Sequence, residues 1–173
     1  MEAPHNVLRE YQKQLFDRID GMGGSEASSS HLGFEAGEQE NWAVPLTDVS
    51  EVIPLPIVVP VPLAVDWFAG VANIRGSLFA ITDFARFSNG NPTPIAAESR
   101  LVLLHARFRV HAALLVRRSL GLKKMESIPL PDVSSSSWLR GTHTDSHGCI
   151  WRELSVQQLT RDTRFLKVAC YGV

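Results

Sequence analysis

The segment Trp67-Phe68-Ala69-Gly70-Val71-Ala72-Asn73-Ile74-Arg75-Gly76, followed by Asp83, narrows the folds open to this chain more than any other stretch. It reads as a tight turn, a short strand, a second turn at Arg75-Gly76-Ser77 and a second strand. Gly76 can supply the positive φ that such a turn needs. A hairpin buries nothing alone, so it demands further strands. The flanks provide them as short apolar runs separated by turn residues, and no strand–helix–strand alternation appears. That pattern predicts small barrels rather than a parallel sheet and argues against the nucleotide-binding α/β folds.

Residues 31–37 and 42–46 are expected to form a hairpin around residues 38–41. Pro45 argues for an edge strand or a bulge there. Residues 49–53 resume the strand pattern. Pro54, Pro56, Pro60 and Pro62 make residues 54–62 an extended connector. Asp83 is placed to cap a helical turn over residues 84–87. Residues 88–98 read as a loop. Strands are expected over residues 100–106, 110–116, 121–128 and 149–154, with loops over 129–137 and 141–148. Ser155 is placed to cap a short helix reaching residue 162. At the other end, Leu8, Tyr11, Leu15 and Ile19 form one apolar stripe, which predicts an amphipathic helix over residues 6–20. Gly21–Ser30 then reads as a flexible linker. A single domain over 30–173 is expected to follow an N-terminal helix and linker over 1–29.

Charge is unevenly spread. Residues 1–51 carry ten acids and three bases, whereas Ser99–Met125 carries seven bases and no acid, although the whole chain is at −1. The basic block reads either as a solvated strand face or as a docking face for an acidic partner. Two cysteines, Cys149 and Cys170, form no paired motif and suggest reduced thiols. No secretory signal is visible, and the apolar run over residues 52–65 is too short and too rich in proline to span a bilayer as a helix. A soluble, cytoplasmic protein without membrane insertion is expected.

The chemical motifs are weak. His143, His147 and Cys149 have ligand chemistry, but they sit in a loop, and Cys149 is expected to point into a core, so no metal is expected. Asp145-Ser146-His147 has the residue types of a hydrolase triad but lacks a nucleophile elbow. Asp66 and Asp83 are explained as turn and helix caps. His105 and His111 are expected to be packed or edge histidines within strands. No cofactor and no catalytic residue are expected. A small barrel binding single-stranded nucleic acid is the alternative reading, resting on Arg107-Phe108-Arg109.

The ordered set Trp67-Phe68-x-Gly70-Val71-x-Asn73-Ile74-Arg75-Gly76 and Asp83 resembles the core signature of CheW-like adaptor domains. Trp42-x-Val44 and Val49-Ser50-Glu51-Val52 upstream fit the same family. Arg100–Leu103, Ala113–Val116 and Leu120-Gly121-Leu122 fit its second barrel. The likeness covers roughly residues 30–155. The ending Asp162-x-Arg164-Phe165-Leu166-x-Val168-Ala169 is similar to the twitching-motility branch. Val116-Arg117 and Ser119 depart from the family's Val-Asp and valine and reverse the charge there.

This resemblance implies a mainly β fold of two linked five-stranded SH3-like sub-barrels within that domain, with a groove between them and a boundary near 88–99. It implies a non-catalytic scaffold that couples the cytoplasmic tip of a chemoreceptor to the regulatory domain of a sensor histidine kinase, here in type IV pilus control. Val49, Glu51, Gly70, Val71, Asn73 and Arg75 are the residues expected to meet a partner. Gly70 would permit close backbone approach, and Arg75 would pair with Glu51 or with the partner.

Overall fold

A computed structural model describes residues 30–37, 40–124, 136–145 and 147–169. The expected N-terminal helix and linker over 1–29 lie outside the described residues, as does most of the loop over 129–137. The described residues form two five-stranded sheets and a few short helical segments.

The first sheet has the order β8-β1-β2-β10-β9 and the second β3-β6-β7-β5-β4. The strands are β1 (Ser30–Ala36), β2 (Glu40–Pro45), β3 (Val49–Pro54), β4 (Phe68–Ile74), β5 (Ser77–Asp83), β6 (Arg100–Leu104), β7 (Ala112–Val116), β8 (Arg118–Lys124), β9 (Leu139–Thr144) and β10 (Ile150–Leu154). Helices α1 (Phe84–Asn89), α2 (Val156–Leu159) and α3 (Thr163–Leu166) fill the gaps between them. Most neighbours are antiparallel, but β10 runs parallel to β2 and β5 parallel to β7. The sheets therefore interleave along the chain. A boundary near residues 88–99 falls inside the second sheet, between β5 and β6. The chain leaves the first sheet after β2 and returns to it only at β8.

Two apolar clusters explain the uninterrupted runs in β6 and β7. Val102, Leu104, Leu114 and Val116 face a large core shared with the first sheet, beside Phe34, Trp42, Phe84 and Trp138. Leu101, Leu103, Ala113 and Leu115 face the interior of the second sheet with Ile74 and Ile81. Strands covered on both faces need no polar alternation. The connector after β3 closes this inner cluster, because Leu55 and Val58 pack against it.

Aromatic packing joins the hairpin to the C-terminal helices. The rings of Trp67 and Phe165 stack at 6.5 Å, and Trp67 meets Phe87 edge-on at 5.2 Å. The Trp-Phe opening of the hairpin and the ending around Phe165 thus belong to one cluster.

Several expectations shift. β2 is an interior strand, not an edge. Pro45 is tolerated because β10 pairs only with Trp42 and Ala43, so β10 lays no ladder at Pro45, which faces only His31 of β1. β9 occupies part of the stretch read as a loop over 141–148. Its sequence, Leu-Arg-Gly-Thr-His-Thr, has little apolar alternation because it is an edge strand, paired only to β10. Cys149 is exposed rather than turned to the core. His105 is exposed and caps a turn instead of sitting in a strand, with its Nδ1 accepting from the Arg107 N–H at 3.1 Å.

Asp83 fulfils its capping role and adds a second one. Its carboxylate accepts the Arg86 N–H at 3.2 Å at the start of α1. It also accepts the Thr93 N–H at 2.9 Å and the Thr93 hydroxyl at 2.5 Å, so it ties the following loop to the helix. Asp83→Ala should therefore cost about 2 kcal/mol, more than a bare cap, as measured by urea denaturation. Thr93→Val should recover part of that cost in the double variant.

Candidate docking site at the β4–β5 hairpin

The turn between β4 and β5 has two central residues, Arg75 at φ 52° and Gly76 at φ 84°. Positive φ at both positions suits the twist of a tight hairpin. Asn73 stabilises it, because its side-chain oxygen accepts the Gly76 N–H at 2.8 Å. Left-handed backbone is unusual for an arginine. It aims the side chain across the sheet rather than along it.

The target is Glu51. Its carboxylate lies 2.6 Å from the Arg75 guanidinium. This pairing, one of the two expected from the sequence, has a topological meaning. Glu51 belongs to β3 and Arg75 closes β4, and those strands lie at opposite edges of the sheet. The ion pair therefore links the two edge strands of the sheet. The Arg75 side chain is 62% exposed and that of Glu51 27%. At that exposure the pair contributes only ~0.2–1 kcal/mol to stability.

The other expected contact residues behave differently. Val49 is buried in the shared core. Gly70 is buried at φ 135°. A Cβ built there would lie 2.2 Å from the Val59 carbonyl oxygen and 3.0 Å from the Pro60 Cα. Val71 exchanges two backbone hydrogen bonds with Val59, at 2.8 and 2.9 Å. The close approach that Gly70 permits is thus made by the chain's own proline-rich connector. The six residues divide into an exposed polar tip, Glu51, Asn73 and Arg75, and an inner support, Val49, Gly70 and Val71. Beyond the prolines themselves, no residue pattern signals this division.

Charged residues singled out elsewhere find partners within the chain. Arg117, one of the departures from the family pattern, and its neighbour Arg118 both bond the buried carboxylate of Glu35 on β1, Arg117 at 3.0 Å. Arg107 bonds Asp48. Much of the basic block is therefore neutralised by the acidic N-terminal third. His143 does not turn toward His147 and Cys149. Its Nε2 lies 2.9 Å from Glu153. Among the described residues no group of histidine, cysteine and carboxylate side chains has the arrangement of a metal site. Asp145 orders its own turn. The Trp151 indole N–H donates to it, as do the Cys149 and His147 N–H groups, and together they hold its carboxyl below the usual range.

Among the described residues Glu153 is the most strongly perturbed group. It is buried on β10 among His31, Arg140 and His143, at 3.5, 2.9 and 2.9 Å. The hydrogen bond from His31 leads in pulling its carboxyl down to about 2, against the opposing effect of burial, and His143 and Arg140 add to it. Sequence reading missed this cluster. The only signal was an acid in a strand that also carries Ile150, Trp151 and Leu154.

The second sheet thus carries an exposed arginine at its hairpin tip and an ion pair between its two edge strands. Residues 30–164 match the CheW-like domain family, and the chain belongs to that family of non-catalytic signalling scaffolds. Protein PilI of Pseudomonas aeruginosa is 28% identical over 149 residues, covering 82% of this chain and 81% of that protein. The crystal structure of the scaffolding protein TtCheW from Thermoanaerobacter tengcongensis has the same fold, with a TM-score of 0.69 at 14% identity. That match covers 83% of this chain and 94% of the other. CheW-like scaffolds couple chemoreceptors to histidine kinases. Among the described residues no helix is long and apolar enough to cross a membrane.

Proposed function

We propose that this protein is a cytoplasmic coupling scaffold of a type IV pilus signalling system. It links the cytoplasmic tip of a chemoreceptor to the regulatory domain of a sensor histidine kinase and so controls twitching motility. The likeness to PilI over most of both chains carries the pilus assignment. In this reading the tip formed by Glu51, Asn73 and Arg75 contacts the partner, and Val49, Gly70 and Val71 hold the tip in place.

The guanidinium at the tip is half committed. One face bonds Glu51, and its high exposure leaves other donors for a partner's carboxylate or backbone carbonyl. Arginine is a frequent anchor at interfaces because its planar fork loses little freedom per bond formed. Pairing with Glu51 fixes the side chain before a partner arrives, which lowers the ordering cost of docking.

The test is co-purification of the full chain with a receptor tip or a kinase regulatory domain from the same organism. Arg75→Ala should weaken capture by about tenfold or more, as expected for an interfacial arginine, while the thermal midpoint barely moves. A wild-type chain that retains neither partner would sink the coupling reading. An Arg75→Ala chain that binds as well as the wild type would move the docking surface elsewhere.

A further inference from the structure

At one end of the molecule four segments surround an open cavity of about 580 Å³. They are the turn between β2 and β3, the turn after β6, the start of β9 and the end of α2. Thr47 and Asp48 come from the first, Arg107 from the second, Arg140 from the third, and Thr160 and Arg161 from the last. Its volume lies in the range of small-molecule sites, but its lining is polar, unlike the mostly apolar lining of such pockets.

The charge balance of the lining is one-sided. Three guanidinium groups face one carboxylate, that of Asp48, which Arg107 and the Thr47 hydroxyl already engage. Arg107 is further fixed over the ring of Phe108, 4.9 Å from its centroid. Arg140 leans on Glu153, a carboxylate it shares with His31 and His143. Arg161 forms no ion pair among the described residues and is exposed at the rim. Like charges brought together at a concave surface repel one another, and a bound anion relieves that repulsion. Arginine forks match the paired oxygens of carboxylate and phosphate groups.

We propose that this cavity is an anion-binding site for a group with clustered carboxylate or phosphate oxygens. Arg161 is the cation available to the ligand, and Arg107 and Arg140, each held in place by its own carboxylate, supply the second and third contacts. The site shares no residue with the hairpin tip, so it stands or falls independently of the docking surface described above. Arg107 belongs to the acid-free basic block of the sequence. The cavity is where that block meets cations from the C-terminal part of the chain.

Titration calorimetry on the full chain at low salt tests this, with inorganic pyrophosphate and a short polyglutamate peptide as separate probes. Saturable binding of at least one probe is expected. Raising the salt should weaken it, and Arg161→Gln should weaken it about tenfold, the loss of one charge-assisted hydrogen bond. Arg109→Gln, outside the cavity, should leave it unchanged. Binding of the peptide alone assigns the site to acidic segments of a protein, and binding of pyrophosphate alone assigns it to free phosphate compounds. If neither probe binds, the proposal fails. It fails equally if Arg161→Gln and Arg140→Gln leave the affinity unchanged, or if Arg109→Gln weakens it as much as Arg161→Gln.

Discussion

Glu153→Gln is expected to lower the free energy of unfolding at neutral pH by roughly 3 kcal/mol. The carboxyl titrates near 4.5 when unperturbed and near 2 in the folded chain. A group whose folded value is depressed stabilises the fold fully above its unfolded value. That contribution fades as the pH falls from about 4.5 toward 2. In a chain of this length the corresponding drop in Tm is roughly 6–12 °C. The substitution also leaves the Arg140 guanidinium beside a neutral amide, so the charge-assisted bond between Arg140 and the carboxylate is lost as well. The measurement is urea denaturation of both chains at intervals from pH 7 to about pH 2.5. The wild type should lose stability steeply over the acid range, and the Glu153→Gln chain should lose less there because this titration is gone. Parallel acid limbs would show that the burial of Glu153 contributes nothing beyond packing.

The position of Glu153 illustrates what a sequence hides. Its partners come from β9 and β1, about ten and about a hundred and twenty residues away respectively, and no local spacing links them. β9 itself was read as loop because an edge strand needs no apolar alternation. The β4–β5 hairpin was legible for the opposite reason. Asn73, Arg75 and Gly76 act within four residues, and turn chemistry is local. The Arg75–Glu51 pair was legible only through the family likeness, since the two residues close a sheet from opposite edges. The interleaving of the sheets was not legible, because β6 and β7 carry apolar residues on both faces and no periodicity says which face meets which sheet. Gly70 was expected to admit a partner's close approach, whereas the neighbour the structure places against it is the chain's own connector, which lies outside its strand.

That last point gives the second large prediction. Gly70→Ala is expected to cost roughly 3–5 kcal/mol, from backbone strain, loss of the connector's hydrogen bonds and displaced packing together. At φ 135° an L side chain is strained, and both obstacles to the new Cβ, the Val59 carbonyl and the Pro60 Cα, are backbone atoms that no rotamer change can move. To relieve the contact, the connector must lift. Its two hydrogen bonds to Val71 then break, and Leu55 and Val58 lose their places against the inner cluster. Gly76→Ala provides the control. Its φ is also positive, at 84°, but a Cβ there meets nothing within 4 Å, so only the backbone cost of about 1–2 kcal/mol remains. Thermal denaturation of the two variants separates strain from collision, and equal losses would mean that the connector yields freely. The comparison also decides how a docking defect is to be interpreted. A Gly70 variant that fails to bind a partner while its Tm has collapsed reports on the connector. An Arg75 variant that fails to bind at an unchanged Tm reports on the surface itself.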